Sequence, residues 1–347
     1  MAIGSSLKGF LKLAQDNKTA MLEERMKTQL QKPAWLKIRP PTTQKFETVL
    51  ETLKANKLHT VCEEAHCPNI SECWSSGTAT FMVLGDTCTR GCRFCNVRKG
   101  RAGIPIDPQE PENLAKAVKE WGLTYVVITS VDRDDLPDQG ANHFAQCIRE
   151  LRKNNVLVEV LIPDFRGNDE LLKIIVDAKP NVIAHNIETI ERLQKYARDY
   201  RANYWQSIKL LKKVKEFDSQ IFTKTSIMLG LGEKEEEVLI ALKDLTSNSV
   251  DVVTFGQYLR PSIMHLPVTE YVAPEKFEQY NESARKMGFL YVAGGPFIRS
   301  SYKAGELFME GILKKGVEGP LPLRVENNVI PTVPLAQNSN QNNPKQV

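Results

Sequence analysis

The sequence predicts an α/β protein whose parallel sheet curls into a partial (β/α)6 barrel. Six short runs rich in β-branched residues alternate with stretches of helical length. Right-handed crossovers between such units curl a parallel sheet. Polar residues follow most of these runs, and in parallel sheets ligands bind at the carboxyl ends of the strands. At 347 residues the chain also has room for N- and C-terminal extensions, which we expect to cover the barrel mouth.

The elements follow from the hydrophobic pattern. The predicted strands are Ala79–Gly85, Tyr125–Val131, Val156–Pro163, Val182–Ile187, Thr223–Leu229 and Val250–Gly256. The predicted helices between them are Glu110–Trp121, Ala141–Asn155, Asn168–Ala178, Tyr204–Phe217 and Lys234–Ser247. Two more helices are expected before the first strand, at Ser6–Gln31 and Lys45–Asn56.

These elements predict four regions. Residues 1–75 form an N-terminal extension, residues 76–290 the barrel, and residues 291–326 a C-terminal extension. In the C-terminal extension, Gly294-Gly295-Pro296 predicts a tight turn. Residues 327–347 are rich in Asn, Gln and Pro without periodicity, which predicts a disordered tail.

Composition excludes several classes of protein. The 46 basic and 42 acidic residues leave a net charge of +4, too mild to argue for nucleic acid but compatible with an acidic protein partner. No apolar run approaches the roughly 20 residues that a membrane span needs. Seven cysteines without a secretory signal indicate a reducing compartment, and we expect a cytoplasmic protein whose thiols bind metal.

The densest chemical signal is a cysteine triad with the spacing C-x3-C-x2-C. Cys88, Cys92 and Cys95 lie within eight residues, and Gly91 lets the loop curl so that their sulfurs converge. Four thiolates ligate every iron of a [4Fe–4S] cluster, so three leave one iron open for chemistry. A zinc site or a chance cluster is the alternative, although the spacing differs from that of zinc knuckles.

A second triad precedes it, with the spacing C-x4-C-x5-C. Cys62, Cys67 and Cys73 again suit a cluster with one iron left over. The alternative is a zinc site completed by His66 or by a cysteine of the following group. Cys147 lies in a helical stretch and is interpreted as a packing residue. We assign no metal to the histidines His143, His185 and His265.

Three motifs together resemble a known family. The spacing C-x3-C-x2-C, with Phe94 just before its last cysteine, resembles the radical S-adenosylmethionine superfamily. With the preceding C-x4-C-x5-C and the late Arg299-Ser300-Ser301-Tyr302, the chain resembles the lipoyl synthases of that superfamily. The resemblance implies two [4Fe–4S] clusters and S-adenosylmethionine. It implies that Ser301 is the fourth ligand of an auxiliary cluster on the first triad.

The reaction is likewise implied by the resemblance. A 5′-deoxyadenosyl radical would remove hydrogen at carbons 6 and 8 of an octanoyl chain on a carrier lysine. The auxiliary cluster would supply both sulfurs, with two S-adenosylmethionine molecules used. The implied partners are an octanoylated lipoyl domain or glycine-cleavage carrier, an electron donor and an iron–sulfur carrier. Another radical sulfurtransferase resembling biotin synthase, and a zinc-binding scaffold, remain alternatives.

The resemblance also suggests residues that contact S-adenosylmethionine. The suggested contacts are Phe94, Ser130, Asp132, Asn186, Glu188, Arg201 and Gly230. Solvated loop polarity or helix capping is the alternative for those at strand ends. Two departures from the family pattern are Gln139, where the family usually has Gly, and Arg260, where it usually has Gln. Ser226 stands where the superfamily's glycine-rich strand begins with Gly.

Overall fold

A computed structural model describes residues 30–37, 44–75, 80–123 and 125–301. All of these belong to the first of two units, which spans Met1–Glu310. Most of the predicted helix at Ser6–Gln31, Tyr302 and the tail from residue 327 lie outside the described residues. The four-region division of the chain therefore remains a prediction.

A sheet of eight strands forms the centre of the described chain. Its strands are β1 (His59–Thr60), β2 (Thr80–Val83), β5 (Tyr125–Ser130), β6 (Leu157–Leu161), β7 (Val182–Ala184), β8 (Phe222–Leu229), β9 (Val252–Gln257) and β10 (Tyr291–Gly295), in that spatial order. Only β1 is antiparallel to its neighbour. Two short strands, β3 (Thr87–Cys88) and β4 (Arg98–Lys99), pair separately.

Helices separate the strands as predicted. They are α1 (Gln44–Ala55), α2 (Val61–Glu64), α3 (Ile70–Ser75), α4 (Glu110–Glu120), α5 (Ala141–Arg152), α6 (Asp169–Asp177), α7 (Gln194–Ala197), α8 (Tyr204–Phe217), α9 (Glu235–Ser247) and α10 (Pro274–Lys286). Side chains cap several of them; Asn203, for example, accepts from the backbone N–H of Gln206 before α8, and Asn168 accepts from the N–H groups of Glu170 and Leu171 at α6. No described helix has the length and apolarity needed to span a membrane.

The six predicted strands and their parallel order are confirmed. Within the described residues, no strand pairing joins β1 to β10, so the sheet is open. The structure adds the two edge strands that the sequence analysis did not predict. It also corrects one expectation, because Gly294 and Gly295 pair with β9 as the end of β10 and the chain turns only after them. Glycine fits there because a Cβ at Gly294 would lie 2.3 Å from the Asn281 side-chain oxygen.

Burial explains why the strands read as continuous apolar runs. All six residues of β9 and all three of β7 are buried, as expected of parallel strands covered on both faces. One ionic group interrupts this interior: Lys224 donates to both oxygens of Glu159, at 2.7 and 3.0 Å, and Tyr125 donates to the same carboxylate. Each buried charge is paired, which is the condition under which charges persist in a core.

Candidate metal centre

The second triad occupies a loop that leaves the carboxyl end of β2. Leu84 and Gly85 adopt φ angles of 70° and 88°, which turn the chain out of the sheet. The loop then closes on itself, because β3 pairs with β4 and Gly100 donates its N–H to the Cys88 carbonyl at 2.9 Å. Cys92 and Cys95 lie between these two short strands.

Loops after three other strands hold this loop through its backbone. Thr89 donates to the carbonyl of Asp132, which follows β5, at 2.9 Å. The Arg93 N–H donates to Ala197 at 2.8 Å, and the Arg93 carbonyl accepts from Leu266 at 3.2 Å. Ala197 and Leu266 follow β7 and β9 along the chain. The loop therefore lies among the carboxyl ends of the strands, where ligands bind in parallel sheets.

A buried ionic network stabilises the start of the loop. The Arg90 side chain is 3% exposed and donates to both oxygens of Asp134, at 2.9 and 3.1 Å. It also lies 2.7 Å from Asp164, which follows β6. Burial alone would raise the pKa of Asp134, but the hydrogen bonds and charge of Arg90, together with hydrogen bonds from Arg166 and Thr89, hold the pKa well below the usual range.

Arg201 and Asp199 hold the middle of the same loop. Arg201 donates to Asp199 at 2.7 Å and to the Thr89 carbonyl at 2.7 Å. Asp199 accepts from the Gly91 N–H at 2.7 Å, and its own N–H donates to the Cys92 sulfur at 3.3 Å. Because these contacts occupy the Arg201 guanidinium, its predicted contact with S-adenosylmethionine remains a prediction.

The thiols of this triad suit metal better than free chemistry. Burial raises the pKa of the Cys88 and Cys92 thiols to about 12, and it raises that of Cys95 as well. Such thiols are protonated and inert at neutral pH unless a bound metal displaces the proton. No disulfide links the cysteines of the described chain. Three thiols on one loop, which carries no fourth cysteine between β3 and β4, fit an iron–sulfur cluster that keeps one open iron.

The first triad lies on two short helices beside the edge strand β1. Cys62 lies in α2 and Cys73 in α3, with Cys67 between the helices. A left-handed His66, at φ 50°, reverses the chain so that Cys67 donates to the Cys62 carbonyl at 3.0 Å. Burial raises the pKa of Cys62 to about 11, and that of Cys67 is raised by the same cause. His66 is exposed, as expected of a residue that is not a ligand.

The late Arg-Ser-Ser segment approaches this first triad. Asn69, between Cys67 and Cys73, donates to the Phe297 carbonyl at 2.6 Å. Burial lowers the pKa of Arg299, while the neighbouring Cys67 opposes that shift. Gly256 makes room for this approach, because a Cβ there would lie 2.2 Å from the Ile298 carbonyl. Ser301, the last described residue, is therefore only four residues along the chain from a direct contact with the triad's loop.

A hydrogen bond joins the two segments that carry the triads. Asn96, which follows Cys95, donates its side-chain N–H to the Glu64 carbonyl at 3.1 Å. Glu64 lies between Cys62 and Cys67. The two loops that carry all six of these cysteines therefore contact one another.

Buried polar atoms at the strand ends fit a further polar ligand. The Ser130 hydroxyl at the end of β5 and the Asn186 side-chain oxygen after β7 have no hydrogen-bond partner within the described chain. Unpaired buried polar atoms are costly, so such atoms indicate a ligand or water. Burial raises the pKa of Asp132 to about 6 although Arg90 lies 3.2 Å away, and burial also raises that of Glu188. These positions suit the amino acid and ribose groups of S-adenosylmethionine.

Gly230 shows why its position excludes a side chain. Its φ is 102°, and a Cβ would lie 2.3 Å from the Gln257 amide nitrogen and 2.4 Å from the Glu270 carbonyl. Ser226, in the preceding strand β8, is buried and donates to the Thr254 carbonyl at 3.4 Å. The substitution of glycine by serine there is accommodated within the sheet.

One group of metal-ligand side chains was missed by the sequence analysis. Glu110, His143 and Cys147 bring their ligand atoms within 4.8 Å of one another. The His143 Nε2 lies 2.7 Å from Glu110 Oε2, a hydrogen-bond distance, whereas two ligands of a tetrahedral zinc stand roughly 3.3 Å apart at zinc–ligand distances near 2.0 Å. Glu110 also accepts from the Leu84 N–H at 3.0 Å. Through this hydrogen bond, Glu110 supports the turn before Cys88. The only sequence signal for the group is the i, i+4 spacing of His143 and Cys147.

Comparisons with known proteins agree with this geometry. Residues 82–245 match the model of the radical SAM superfamily, and residues 1–67 match that of the N-terminal domain of lipoyl synthase. The fold, at 12% identity and a TM-score of 0.50, is similar to that of Streptococcus suis SuiB bound to precursor peptide SuiA; the match covers 83% of this chain and 62% of that one.

Relatives of high identity cover most of the chain. The mitochondrial lipoyl synthase of Schizosaccharomyces pombe is 54% identical over 84% of this chain and 81% of its own length. The lipoyl synthase of Halobacterium salinarum is 57% identical over 82% of this chain and 93% of its own length. An apicoplast lipoyl synthase of Plasmodium vivax is 54% identical over 82% of this chain, which spans 65% of that protein. The chain belongs to the lipoyl synthase family of the radical S-adenosylmethionine superfamily.

Proposed function

We propose that the chain inserts two sulfur atoms into a protein-bound octanoyl-lysine chain, at carbons 6 and 8, to form the lipoyl group. The observation that supports the proposal is the contact between the two loops that carry the cysteine triads, together with the hydrogen bond from the first triad's loop to Phe297, two residues before Arg299. A carbon radical must meet its sulfur donor before it is quenched. Two adjacent metal-binding loops place a radical source and a sulfur source within reach of one acyl chain.

The chain's own residues prepare this chemistry. Bound S-adenosylmethionine and two [4Fe–4S] clusters supply the radical and the sulfur for an unactivated C–H bond that no side-chain base can deprotonate. Cys88, Cys92 and Cys95 hold one cluster and leave an iron free for the amino acid group of the cofactor. We assign hydrogen bonds with that cofactor to Ser130 and Asn186, whose buried oxygens have no partner within the described chain. Further predicted contacts come from Phe94, Asp132, Glu188, Arg201 and Gly230.

The first triad carries the sulfur that is transferred. Cys62, Cys67 and Cys73 hold the auxiliary cluster, and we assign its fourth position to Ser301. A serine hydroxyl binds iron only when deprotonated, so it is the weakest of the four ligands and the first to leave. The hydrogen bond from Asn69 to the Phe297 carbonyl, four residues before Ser301, supports this assignment because it holds the serine's segment against the first triad's loop.

The activity requires partners. The substrate is an octanoylated carrier, either a lipoyl domain of a 2-oxoacid dehydrogenase or the glycine-cleavage carrier. An electron donor reduces the radical cluster, and an iron–sulfur carrier rebuilds the auxiliary one. We place the reaction in the cytoplasm, since seven cysteines without disulfides suit a reducing compartment.

Anaerobic reconstitution tests the activity. The reconstituted protein is incubated with S-adenosylmethionine, a chemical reductant and an octanoyl-lysine peptide, and the peptide is analysed by mass spectrometry. We expect a product that has gained two sulfurs, and no product from dethiobiotin. Sulfur insertion into dethiobiotin in place of the peptide would support the related sulfurtransferase. Zinc without acid-labile sulfide in the purified protein would support the scaffold.

Ser301→Ala tests the ligand assignment, with Ser300→Ala as the matched control one residue away. We expect Ser301→Ala to keep forming 5′-deoxyadenosine and to lose most of the dithiolane product, because only the auxiliary cluster loses a ligand. Ser300→Ala should retain both activities. Equal product yields from the two variants, measured by mass spectrometry, would show that Ser301 is not a ligand.

A further inference from the structure

A basic surface covers the outside of the loop that carries the second triad. The chain has no acidic residue between Asp86 and Asp107. Its exposed cations in that interval are Arg93, Arg98, Lys99 and Arg101, which we call the basic face. The protein as a whole carries a net charge of only +4, so this loop concentrates a positive charge that the rest of the surface balances.

The basic face lies directly over the cluster ligands. Lys99 donates to the Cys92 carbonyl at 2.9 Å, and the His265 Nε2 lies 3.1 Å from the Cys95 carbonyl. A surface concavity of about 350 Å³ is lined by Cys95, Lys99 and Met264, among others. Cys95, one of the proposed ligands of the radical cluster, therefore itself lines a solvent-accessible concavity at this point.

Exposed apolar and aromatic groups border the cations. Met264, which lines the same concavity as Arg93 and Lys99, is 57% exposed. Arg93 stacks over the ring of Tyr196 at 4.8 Å and donates to the Tyr196 carbonyl at 3.2 Å, so its guanidinium is held in place. Tyrosine, methionine and arginine are enriched at protein interfaces, and the combination indicates a docking surface for a protein.

We propose that the basic face docks an acidic one-electron donor protein, an inference that rests on the proposed function. The donor would be oxidised by one electron, and the cluster that Cys88, Cys92 and Cys95 would hold would pass that electron to the sulfonium of S-adenosylmethionine. The bond between sulfur and carbon 5′ would then break to give methionine and the 5′-deoxyadenosyl radical. Each lipoyl group therefore needs two such docking events.

The position of the face distinguishes an electron donor from the acyl carrier. An acyl chain must reach the cofactor between the two triads, near the strand-end atoms of Ser130 and Asn186. Neither residue lines the concavity of the basic face. Electron transfer needs only a short distance between the donor's redox group and the cluster. The concavity of the basic face provides it, because Cys95 itself lines that concavity. Charge complementarity then speeds the encounter with an acidic donor.

Charge reversal tests the docking surface without touching the cluster's support. Arg98→Glu/Arg101→Glu changes two exposed side chains; the structure gives Arg98 one partner, Asp86 at 3.0 Å. The matched control, Lys209→Glu/Lys212→Glu, makes the same charge change at exposed positions of α8. The reconstituted proteins are compared in 5′-deoxyadenosine formation with an acidic flavodoxin and with titanium(III) citrate. Flavodoxin binding is also measured directly, by the dissociation constant at low and high salt.

We expect the face variant to bind flavodoxin about tenfold more weakly and to lose a similar factor in flavodoxin-driven kcat/KM, both effects shrinking at high salt. Its rate with titanium(III) citrate and its KM for the octanoylated carrier should match wild type, and the control should match wild type throughout. Unchanged flavodoxin binding, or a raised KM for the carrier with titanium(III) citrate, overturns the proposal. A wild-type protein that makes no dithiolane with titanium(III) citrate overturns the proposed function instead.

Discussion

The segments that carry the two cysteine triads contact each other, but they are held in place in different ways. Side chains from several loops tie the second triad's loop in place, through the buried Arg90 and through Asp199, which accepts from the Gly91 N–H. The first triad lies on and between the short helices α2 and α3, where uncharged hydrogen bonds from Asn69 to the Phe297 carbonyl and from Asn96 to the Glu64 carbonyl tie it to distant segments. Ion pairs therefore stabilise the second triad's loop, whereas the first triad is held by uncharged hydrogen bonds, one of them to a segment close to the end of the described chain.

This difference suits the two proposed roles. A cluster that only passes electrons is regenerated unchanged, so a rigid, multiply braced loop serves it through every turnover. A cluster that gives up sulfur must be dismantled and rebuilt, and a ligand on a segment with few contacts can leave and return. Local stability is expected to be lowest where few buried contacts hold a segment. The contrast therefore predicts different responses to equivalent mutations at the two sites.

Removing one thiol from each triad should give the largest effects and separate the two half-reactions. We expect Cys88→Ala to reduce 5′-deoxyadenosine formation to background, because the open-iron cluster loses a ligand. Cys62→Ala should keep 5′-deoxyadenosine formation near the wild-type rate and make no dithiolane. Chromatography of 5′-deoxyadenosine and mass analysis of the peptide measure both. Cys147→Ala, a buried cysteine of α5 outside both triads, is the control and should retain both reactions.

Normal 5′-deoxyadenosine formation by Cys88→Ala would contradict the assignment of the second triad. Loss of both reactions in Cys62→Ala, with the second cluster intact by electron paramagnetic resonance, would show that the two sites are not separable.

The buried arginines beside the triads give the next largest contrast. Arg90→Met leaves Asp134 and Asp164 without their shared partner, and breaking a buried ion pair on one side costs about 3–5 kcal/mol. Arg299 bonds to two backbone carbonyls, at 2.7 and 3.3 Å, and Arg299→Met should cost about 1–3 kcal/mol. The measurement is the free energy of unfolding of the reconstituted proteins in urea under anaerobic conditions. An equal loss in both variants would contradict the idea that charge braces only the second site.

How far the sequence predicts this arrangement depends on the range of each contact. The strand–helix alternation and the two triads are local patterns, and the positions of the six parallel strands follow from them. The tie between Asn69 and Phe297 spans 228 residues and has no local signal. Neither does the hydrogen bond from Arg201 to the Thr89 carbonyl, which spans 112 residues and draws a residue expected at the cofactor into the support of the loop. Edge strands such as β1 are too short for any pattern to reveal.

The Gln139 position shows the same limit and yields the smallest predicted effect. The sequence shows that Gln139 stands where the family usually has Gly, but it does not show that the φ angle of Gln139 is 49°. A left-handed conformation destabilises a non-glycine residue by about 1–2 kcal/mol, which glycine would avoid. Glycine, however, loses more conformational entropy on folding, and this offsets about 0.5–1 kcal/mol of that gain in stability. Gln139 also donates to the Phe165 carbonyl at 3.3 Å, a long bond whose loss offsets a little more. Gln139→Gly should therefore raise the free energy of unfolding by about 0.5 kcal/mol.

The adjacent Gly140 supplies the opposite sign as a control. Its φ is 82°, and a Cβ would lie 2.5 Å from the side chain of Leu84, the residue that turns the chain toward Cys88. Gly140→Ala should lower the free energy of unfolding by about 2 kcal/mol and reduce cluster loading at the second triad alone. Urea titration measures both variants, and iron content after reconstitution measures loading. If Gly140→Ala lowered cluster loading equally at both triads, the turn at Leu84 would support both triads and not the second one alone. The proposed contrast between the two sites would then be wrong.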